Sequence, residues 1–409
     1  MHMDDSVRLR QATADDHAAI LEVEGYVFHH DFDDDARELD RRLFEPERSL
    51  VADDNGTVVG HTTALTRDLT VPGAVIPAAH VTGVGVLPTH RRRGLLTAMM
   101  HRQLAELAEA GREPVAVLWA SETTIYPRFG YGPAAARLEL NAMTREVHIT
   151  PAAPPADGRL RLIDPAGAVE ELKTVYERAR PGRVGWSSRP GAWWDRRLRD
   201  PSAWRDGATT RKGVLFEGPN GPEGYAMWRV KDGWDDYGPN GQVRVTEIVA
   251  DDPGVYAALW RFLFGIDLVR SATYDFAALD EPLQYLVDEP RRLGRGFSDA
   301  LWIRVVDLPA ALEARRYLTS FDVVFDVTDP LISANSGRWR LTAGPDKTTC
   351  VRTTDPADLA CSITELGAVY LGGTTLGALA AAGRVHRLTD NFPAAAFGWD
   401  RLPNPIEVF

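Results

Sequence analysis

Hydrophobic and polar positions follow two different periods along the first 140 residues. Val7–Arg10 alternates with a period of two, which predicts a strand, and a helix is expected to follow it as far as Val23. Two more strands, 49–52 and 57–65, are predicted to form a hairpin around the turn at 54–56. This alternation of strands and helices predicts a mixed α/β unit.

The clearest helical pattern follows a run of arginines. Apolar side chains recur with helical spacing from Leu95 to Glu109, and Gly111 is placed to end this helix. Val81–Val86 before it and Val115–Trp119 after it have the composition of strands. The loop at 87–94 is therefore expected at the carboxyl end of a strand, directly before a helix N-terminus.

Two changes of composition divide the rest of the chain. Pro151–Gly158 and Asp288–Gly296 are candidate linkers, and the region between them holds seven of the eleven tryptophans. Such a region favours core and interdomain packing. The last third begins with a strand-like run at 301–306. We expect three units, spanning 1–145, 146–292 and 293–409.

Composition narrows the classes of function. The 409 residues are 44% hydrophobic and 25% charged, which is ordinary for a globular protein. The net charge of −12 argues against nucleic-acid or anionic-membrane partners and favours cationic small molecules. Cys350 and Cys361 make neither a disulfide framework nor a zinc site.

No membrane span is expected, because the chain has no stretch of about 18 apolar residues. The first ten residues also lack an apolar signal core. We therefore expect a cytoplasmic protein, and the sequence leaves secretion open.

The loop before the predicted helix carries the best candidate binding site. Arg91, Arg92, Arg93 and Gly94 stand before a helix N-terminus, whose free backbone N–H groups attract an anion. Arginine matches phosphate oxygens, and glycine lets an oxyanion approach the backbone. A solvated basic turn is the alternative interpretation, and the residues alone leave both open.

Two motifs resemble a known family. The strand 84–86 followed by Arg91-x-x-Gly94 resembles the acetyl-CoA site of the GNAT acetyltransferases, although Leu96 stands where the usual pattern has Gly or Ala. The full run VGVLPTHRRRGLL and the later run ASETTIYPRFGYG, at 120–132, resemble the Eis subfamily of aminoglycoside acetyltransferases. Matches at LWIRVVDLP (301–309) and YLGG (370–373) extend the resemblance over most of the chain.

The resemblance implies a mixed α/β fold, with two GNAT-type acetyltransferase units and a C-terminal sterol carrier protein-like domain. It implies acetyl-CoA as cosubstrate and assembly as a homohexamer. The residues themselves predict no metal. The implied cofactor-binding residues are Val84, Gly85 and Val86 for the pantetheine arm, Arg91, Arg92, Arg93, Gly94, Leu95, Leu96 and Thr97 around the pyrophosphate, and Ser121 and Glu122 along the cofactor.

Acetyl transfer from a thioester to an amine benefits from an acid beside the departing thiolate. Tyr126 comes shortly after the strand 115–119, and a tyrosine hydroxyl donates a hydrogen bond even when it is not ionised. The resemblance to the Eis subfamily implies that Tyr126 is the general acid. The alternative is that Tyr126 only packs in a cluster with Phe129 and Tyr131. For Phe129 and Tyr131 themselves, we favour a packing role.

The chain ends in an apolar hexapeptide, NPIEVF at 404–409, which predicts a docked tail. The resemblance assigns the role of general base to the C-terminal carboxylate, here that of Phe409. A free α-carboxyl has a pKa of about 3.3–3.7, too low for an efficient base near neutrality, and burial without a cation would raise it. The alternative is a tail that only packs its phenylalanine ring.

An acidic run at 31–35 follows the first helix. Clustered carboxylates would concentrate a polyamine or an aminoglycoside, but a solvated acidic turn explains the run equally well. A metal site from His29, His30 and Asp31 is disfavoured, because the segment lacks ligand spacing. The candidate acceptor-binding residues are Phe28, Asp31, Phe32, Asp33 and Glu407.

Together these features predict an acetyl-CoA-dependent N-acetyltransferase acting on amines of a polycationic small molecule, with aminoglycosides as the expected class. Direct attack within a ternary complex is expected, because neither cysteine lies in the motif region. Two alternatives stay open: acetylation of protein lysines or a metabolic amine, and a non-catalytic protein that binds acyl-CoA or lipid.

Overall fold

The computed structural model describes residues 7–344 and 347–409. Residues 1–6, which belong to the segment expected to lack a signal core, lie outside the described residues. Among the residues described, no helix has the length and apolar character needed to cross a membrane.

Strands and helices alternate along most of the chain. The strands are β1 (Val7–Gln11), β2 (Ser49–Asp54), β3 (Thr57–Val71), β4 (Ala74–Val86), β5 (Val115–Trp119), β6 (Gly132–Pro133), β7 (Ala136–Met143), β8 (Arg159–Ile163), β9 (Lys212–Gly218), β10 (Gly221–Lys231), β11 (Trp234–Asp235), β12 (Gly238–Pro239), β13 (Gly241–Ala250), β14 (Val269–Ala277), β15 (Gly296–Asp299), β16 (Leu301–Val305), β17 (Phe321–Thr328), β18 (Gly337–Ala343), β19 (Thr348–Arg352), β20 (Leu359–Ser362) and β21 (His386–Arg387). The helices are α1 (His17–Phe28), α2 (Asp34–Leu43), α3 (Leu95–Ala110), α4 (Val169–Ala179), α5 (Trp193–Leu198), α6 (Pro253–Phe264), α7 (Leu283–Leu286), α8 (Leu308–Ala314), α9 (Ile363–Val369) and α10 (Leu376–Ala381).

The local predictions for the first unit are largely confirmed. Strand β5 has the predicted bounds, and α3 begins at Leu95 as predicted and ends one residue later than expected, before Gly111. Helix α1 continues to Phe28, whereas the prediction ended it at Val23. Its last turn packs on β4, where Val27 lies against Gly85, and this contact accounts for the extra turn.

The first sheet has the strand order β1-β2-β3-β4-β5-β16-β6. Strands β4 and β5 are parallel, and they pair from Ala78 opposite Val115 to His80 opposite Val117. Beyond this point β4 continues to Val86 while β5 ends at Trp119. The two strands therefore diverge, and a cleft opens at their carboxyl ends.

The second sheet repeats this arrangement in the order β15-β7-β14-β13-β10-β9-β8. Its parallel pair, β13 and β14, runs together from Gly241 opposite Val269 to Val245 opposite Tyr274. Strand β13 then continues to Ala250. A second cleft of the same type opens there.

Each of these two sheets contains a strand from the neighbouring stretch of chain. Strand β16 lies in the first sheet between β5 and β6, so the strand-like run predicted at 301–306 pairs with strands of the first unit. Strand β7 crosses into the second sheet, between β14 and β15. The predicted boundaries stay predictions, but the hydrogen bonds of the two sheets cross both of them.

The third sheet has the order β19-β18-β17-β20-β21 and packs on the first through α9. The contact is close enough to require glycine, because a Cβ on Gly132 would collide with the backbone of α9 and one on Gly367 with β16. Arg304 and Asp329 are buried and form an ion pair across the contact, in which Nη2 of Arg304 donates to both carboxylate oxygens of Asp329 at 2.8 Å. The first and third units therefore share one core.

Candidate active site

The start of α3 is open to a ligand. Its N-cap is Gly94, which has φ 78° and provides no side-chain cap. The first three N–H groups of a helix have no intrahelical carbonyl to bond. Arg91, Arg92 and Arg93 are exposed beside them, and Arg92 also lies in the left-handed region, at φ 64°. Such a backbone is uncommon for a non-glycine residue and often marks a functional turn.

The edge of β4 adjoins this helix start. Val84, Gly85 and Val86 lie beyond the last pair with β5, so the β5-facing edge here has no ladder partner in the part of the chain described. Free strand edges of this kind bind the amide groups of an extended ligand. Ser121 and Glu122 are exposed in the loop after β5, at the same end of the cleft.

Tyr126 opens a short 3₁₀ turn, Tyr126–Phe129, after that loop. Tyr126 is 5% exposed and belongs to the buried cluster that also contains Val81 of β4 and Leu118 of β5. Burial, followed by the charge of Glu122, raises the pKa of Tyr126 to about 12. Its hydroxyl is therefore protonated at neutral pH.

The other two aromatics of this segment have the packing role predicted for them. Phe129 and Tyr131 are buried in the core around β4, β5 and α3. The rings of Tyr126 and Tyr131 meet edge to face, with centroids 6.0 Å apart. The Tyr131 hydroxyl is buried and has no hydrogen-bond partner among residues 7–344 and 347–409.

The C-terminal tail docks beside the cleft of the first sheet, as the apolar ending predicted. Phe409 is 7% exposed, and its ring meets His80 of β4 edge to face at 4.6 Å between centroids. The hydroxyl of Thr82 donates a 2.9 Å hydrogen bond to the terminal oxygen of Phe409. The backbone oxygen of Phe409 thus lies against the part of β4 that extends beyond its pairs with β5.

Tyr126 and Phe409 are associated with positions of β4 whose side chains point to opposite faces. Tyr126 belongs to the buried cluster that contains Ala79 and Val81, whereas Phe409 contacts His80 and Thr82. A group in the cleft between β4 and β5 would meet a carboxylate on one face and a phenol on the other. This arrangement suits removal of a proton from a nucleophile and donation of one to a leaving group.

His80 is a structural support in this site. Its Nδ1–H donates to the carbonyl of Ala78 at 2.9 Å, and the hydroxyl of Ser187 therefore donates to Nε2 at 2.7 Å. Complete burial, followed by the charge of Arg67, lowers the pKa of His80 to about 3. The ring is neutral, and both nitrogens are occupied.

Glu407 does not form the acidic surface predicted for it. Its carboxylate forms ion pairs with Arg67 and, at 2.6 Å, with Arg189. Burial alone would raise the pKa of Glu407, but these two arginines lower it to about 2. Arg189 also forms a bidentate pair with buried Glu247, at 3.1 and 2.6 Å. We call Arg67, Arg189, Glu247 and Glu407 the tail clamp.

The acidic run at 31–35 is partly a helix start. Asp33 caps α2 by accepting from the Ala36 N–H at 2.8 Å, and it is paired with Arg199. The Ala36 N–H and Arg199 lower the pKa of Asp33, and its predicted role in acceptor binding stays a prediction. Asp31 and Phe28 are exposed, and Phe32 is half-buried.

A buried histidine–carboxylate pair was missed by the sequence analysis. His61 on β3 is 2% exposed, and its Nδ1 lies 3.2 Å from the carboxylate of Glu24 on α1. The pair packs against Gly83, on the face of the sheet that also carries Thr82. The two residues are far apart in the sequence, and no motif joins them.

Within the residues described, no group of three or more His, Cys, Asp and Glu side chains is arranged to hold a metal ion. Cys350 and Cys361 are buried in the third unit, and burial raises the pKa of both thiols, that of Cys350 to about 12. Neither is suited to act as a nucleophile.

Comparison with known proteins assigns a family to each of the three parts. Two different models of an acetyltransferase (GNAT) domain match residues 8–134 and 185–305, and a sterol carrier protein domain matches 308–401. The N-acetyltransferase Eis of Mycobacterium tuberculosis is 35% identical over 336 residues, which are 80% of this chain and 79% of that protein. The chain belongs to the Eis family of N-acetyltransferases.

Other members of the family are similar over more of the chain. An uncharacterized N-acetyltransferase of Streptomyces avermitilis is 45% identical over 353 residues, 86% of each protein. The crystal structure of Eis1 from Mycobacterium abscessus superposes with a TM-score of 0.83 at 33% identity, over 98% of this chain and all of that one. The predicted fold, two GNAT units and a sterol carrier protein-like domain, is confirmed, and the protein is an acyltransferase.

Proposed function

We propose that the protein transfers the acetyl group of acetyl-CoA to an amine of a polycationic small molecule, with aminoglycosides as the representative acceptors. Acetyltransferases of the GNAT class use acetyl-CoA, and the open start of α3 beside three arginines supports a pyrophosphate site there. The pyrophosphate contacts are assigned to Arg91–Thr97, and the pantetheine arm to the free edge of β4 at Val84–Val86. Ser121 and Glu122 flank the cofactor.

One observation supports the proposal most: Tyr126 and Phe409 are associated with opposite faces of β4. The carboxylate of Phe409 takes a proton from the acceptor ammonium, and the freed amine attacks the thioester carbonyl. Tyr126, protonated because of its raised pKa, donates a proton or a hydrogen bond to the departing thiolate. The thiols of Cys350 and Cys361 are buried in the third unit, which favours direct transfer in a ternary complex.

The acceptor is assigned to the face that carries the tail. Asp31 is exposed beside Phe28 and Phe32, and these residues are the acceptor contacts that the structure leaves available. Glu24, half-buried beside His61, adds a further carboxylate on this face. Several carboxylates near one pocket suit an acceptor with several ammonium groups.

Thiol release from acetyl-CoA, followed by a mass-spectrometric count of acetyl groups, tests this proposal. The panel contains aminoglycosides, linear polyamines, a lysine peptide and a simple monoamine. We expect the highest kcat/KM with an aminoglycoside or polyamine. Equal or faster acetylation of the lysine peptide or the monoamine would contradict the polycation assignment while leaving the acetyltransferase activity in place.

Two features of assembly and location also remain proposals. We infer a homohexamer by resemblance to the family, and a cytoplasmic location from the sequence. Sedimentation analysis at several protein concentrations tests the assembly, and a monomer at all of them would contradict it.

A further inference from the structure

The second cleft encloses a cavity of about 360 Å³. It lies where β13 and β14 diverge, in the position that corresponds to the first cleft between β4 and β5. Its walls come from the end of β13, the start of α6, the segment 278–286 and the tail at 401–404. The volume is in the range of small-molecule sites, about 300–1,000 Å³.

The cavity is not a second acetyl-CoA site. The N-terminus of α6 is capped by Asp252, whose carboxylate accepts from the N–H groups of Gly254 and Val255 at 2.8 and 2.9 Å. Asp251 precedes it, where the first unit has arginines. The carbonyl of Pro155 also covers Gly254 so closely that a Cβ there would collide with it. A phosphate would meet carboxylates and no free N–H groups at this helix start.

The walls combine acidic and aromatic groups. Three tyrosines accompany the acids inside or at the rim: Tyr256, Tyr274 and Tyr285. Glu281 is buried, accepts a hydrogen bond from the Tyr256 hydroxyl, and has a pKa raised by burial. Two arginines also border the cavity. Arg401 is exposed to solvent, and the guanidinium of Arg183 donates to the carbonyl of Ala250 at 2.6 Å and lies 3.5 Å from Asp251.

One buried donor on the wall lacks an acceptor. Trp186 is 3% exposed and borders the cavity, and its indole N–H has no hydrogen-bond partner in the described parts of the chain. A buried polar group without a partner is destabilising, and buried groups of this kind normally have a hydrogen-bond partner. An oxygen atom of a bound molecule would satisfy it.

We propose that this cavity binds a small organic cation, an ammonium group on an aromatic or apolar body that also carries an oxygen acceptor. The carboxylates of Asp251, Asp280 and Glu281 favour positive charge, and aromatic rings bind cations on their faces. The oxygen accepts from Trp186. This site goes beyond the proposed acetyl transfer and is separate from its cleft.

The ligand would also brace the C-terminal tail. Asp280 accepts from the backbone N–H of Leu402 at 2.9 Å, and Asn404 N–H donates to the carbonyl of Val184 at 2.9 Å. Leu402 and Asn404 both line the cavity. Their amides therefore report whether the cavity is filled.

A charge series of probes tests the proposal on the full chain. The probes are 2-phenoxyethylammonium, its neutral analogue 2-phenoxyethanol and the anion phenoxyacetate. We expect the cation to bind about tenfold more tightly than the neutral analogue, and to slow amide hydrogen exchange at Leu402 and Asn404. Equal or tighter binding of the neutral or anionic probe would overturn the proposal, as would no saturable binding of the cation at millimolar concentration.

Matched variants locate the binding site. Tyr285→Ala and Asp251→Asn change exposed rim groups and should each weaken the cation about three- to tenfold. Tyr237→Ala and Asp236→Asn make the same changes on an exposed turn elsewhere and should leave affinity unchanged. The cation could instead keep its affinity in both rim variants and slow amide hydrogen exchange only around the β4 cleft. That result would place the probe in the acceptor site and refute the cavity assignment.

Ala278→Phe separates this site from catalysis. Ala278 is 8% exposed and lines the cavity, so the larger ring should fill it and abolish the slowed exchange at Leu402. Acetyl transfer without added probe should proceed at the wild-type rate. Retained probe binding in a folded Ala278→Phe protein would overturn the proposal, whatever the outcome for the acetyltransferase.

Discussion

The two clefts of this protein have the same backbone arrangement and opposite electrostatics. In each, a pair of parallel strands diverges in front of a helix, α3 in the first unit and α6 in the second. Helix α3 starts after an uncapped glycine beside arginines, whereas α6 starts after Asp252, which occupies its N–H groups. The sheet therefore provides the opening, and the residues at the helix start decide whether an anion can bind there.

The tail connects the two clefts. Leu402 and Asn404 border the second cavity, and Phe409, a few residues later, reaches the first cleft. Between them, Glu407 is fixed by the tail clamp, and Ile406 is buried in the core of the second unit. The C-terminal residues thus use the second unit as a support that sets where the carboxylate lies.

The largest effect on acetyl-CoA binding is expected when the start of α3 receives an acidic N-cap like that of α6. Gly94→Asp adds a carboxylate at the open N-cap of α3, where it competes with pyrophosphate for the N–H groups and repels it. We expect acetyl-CoA affinity to fall about 1,000-fold, measured by isothermal titration. Gly111→Asp, at the left-handed C-cap of the same helix, should leave affinity unchanged. An equal loss of acetyl-CoA affinity in both variants would refute a pyrophosphate site at the start of α3.

The next effect concerns the proposed acid. Tyr126→Phe should lower kcat about 100-fold and leave acetyl-CoA affinity unchanged. Because the pKa of Tyr126 is raised to about 12, the phenol stays protonated, and the wild-type rate should not fall with rising pH up to about pH 10. Tyr131→Phe removes a buried, unpartnered hydroxyl nearby and should keep full activity. A Tyr126→Phe enzyme as fast as Tyr131→Phe would exclude the acid role.

A smaller effect is expected when the tail is loosened. Glu407→Gln weakens the tail clamp and should lower kcat about tenfold at unchanged acetyl-CoA affinity. Val408→Ala, at a 56% exposed neighbour, is the control and should behave as wild type.

The pH dependence of tail docking supplies an independent readout. The pKa of Glu407 is lowered to about 2, so its contribution to docking is complete above its ordinary value of 4.5 and is lost as the pH falls towards 2. Hydrogen exchange at Asn404 should follow this loss, and more shallowly in Glu407→Gln. Identical profiles in the two proteins would contradict the clamp.

The smallest effect is expected in the second cleft. Asp252→Ala removes the cap of α6 and should cost about 1 kcal/mol of stability, seen as a lower melting temperature. It should not create a second acetyl-CoA site, because Asp251 and the Pro155 carbonyl remain. Titration should still give one acetyl-CoA per chain. A stoichiometry of two would show that the Asp252 cap alone prevents acetyl-CoA from binding in the second cleft.

Local patterns predicted the elements around the site well. The apolar spacing of α3, its closing Gly111 and the bounds of β5 are short-range properties, and the motif around Arg91–Gly94 lies within one loop. The sheets in which β16 and β7 lie could not be predicted in this way, because β16 pairs with β5 and β7 with β14, each more than 100 residues away in the chain. Such choices depend on the packing of the whole molecule.

The roles of charged residues were harder to predict from the sequence than the positions of helices and strands. The sequence shows Asp33 and Glu407 as free acids, but their partners Arg199 and Arg189 are remote in sequence. The pair of His61 and Glu24 was missed for the same reason. A carboxylate becomes a ligand site or a structural clamp according to the cation that the fold brings to it.

The central claim is that the carboxylate of the last residue acts in the first cleft. Semisynthesis of the protein with a C-terminal amide on Phe409 removes this charge and keeps the ring against His80. We expect kcat to fall at least about 100-fold, with acetyl-CoA affinity and melting temperature unchanged. A C-terminally amidated enzyme that acetylates its acceptor at the wild-type rate would contradict the account.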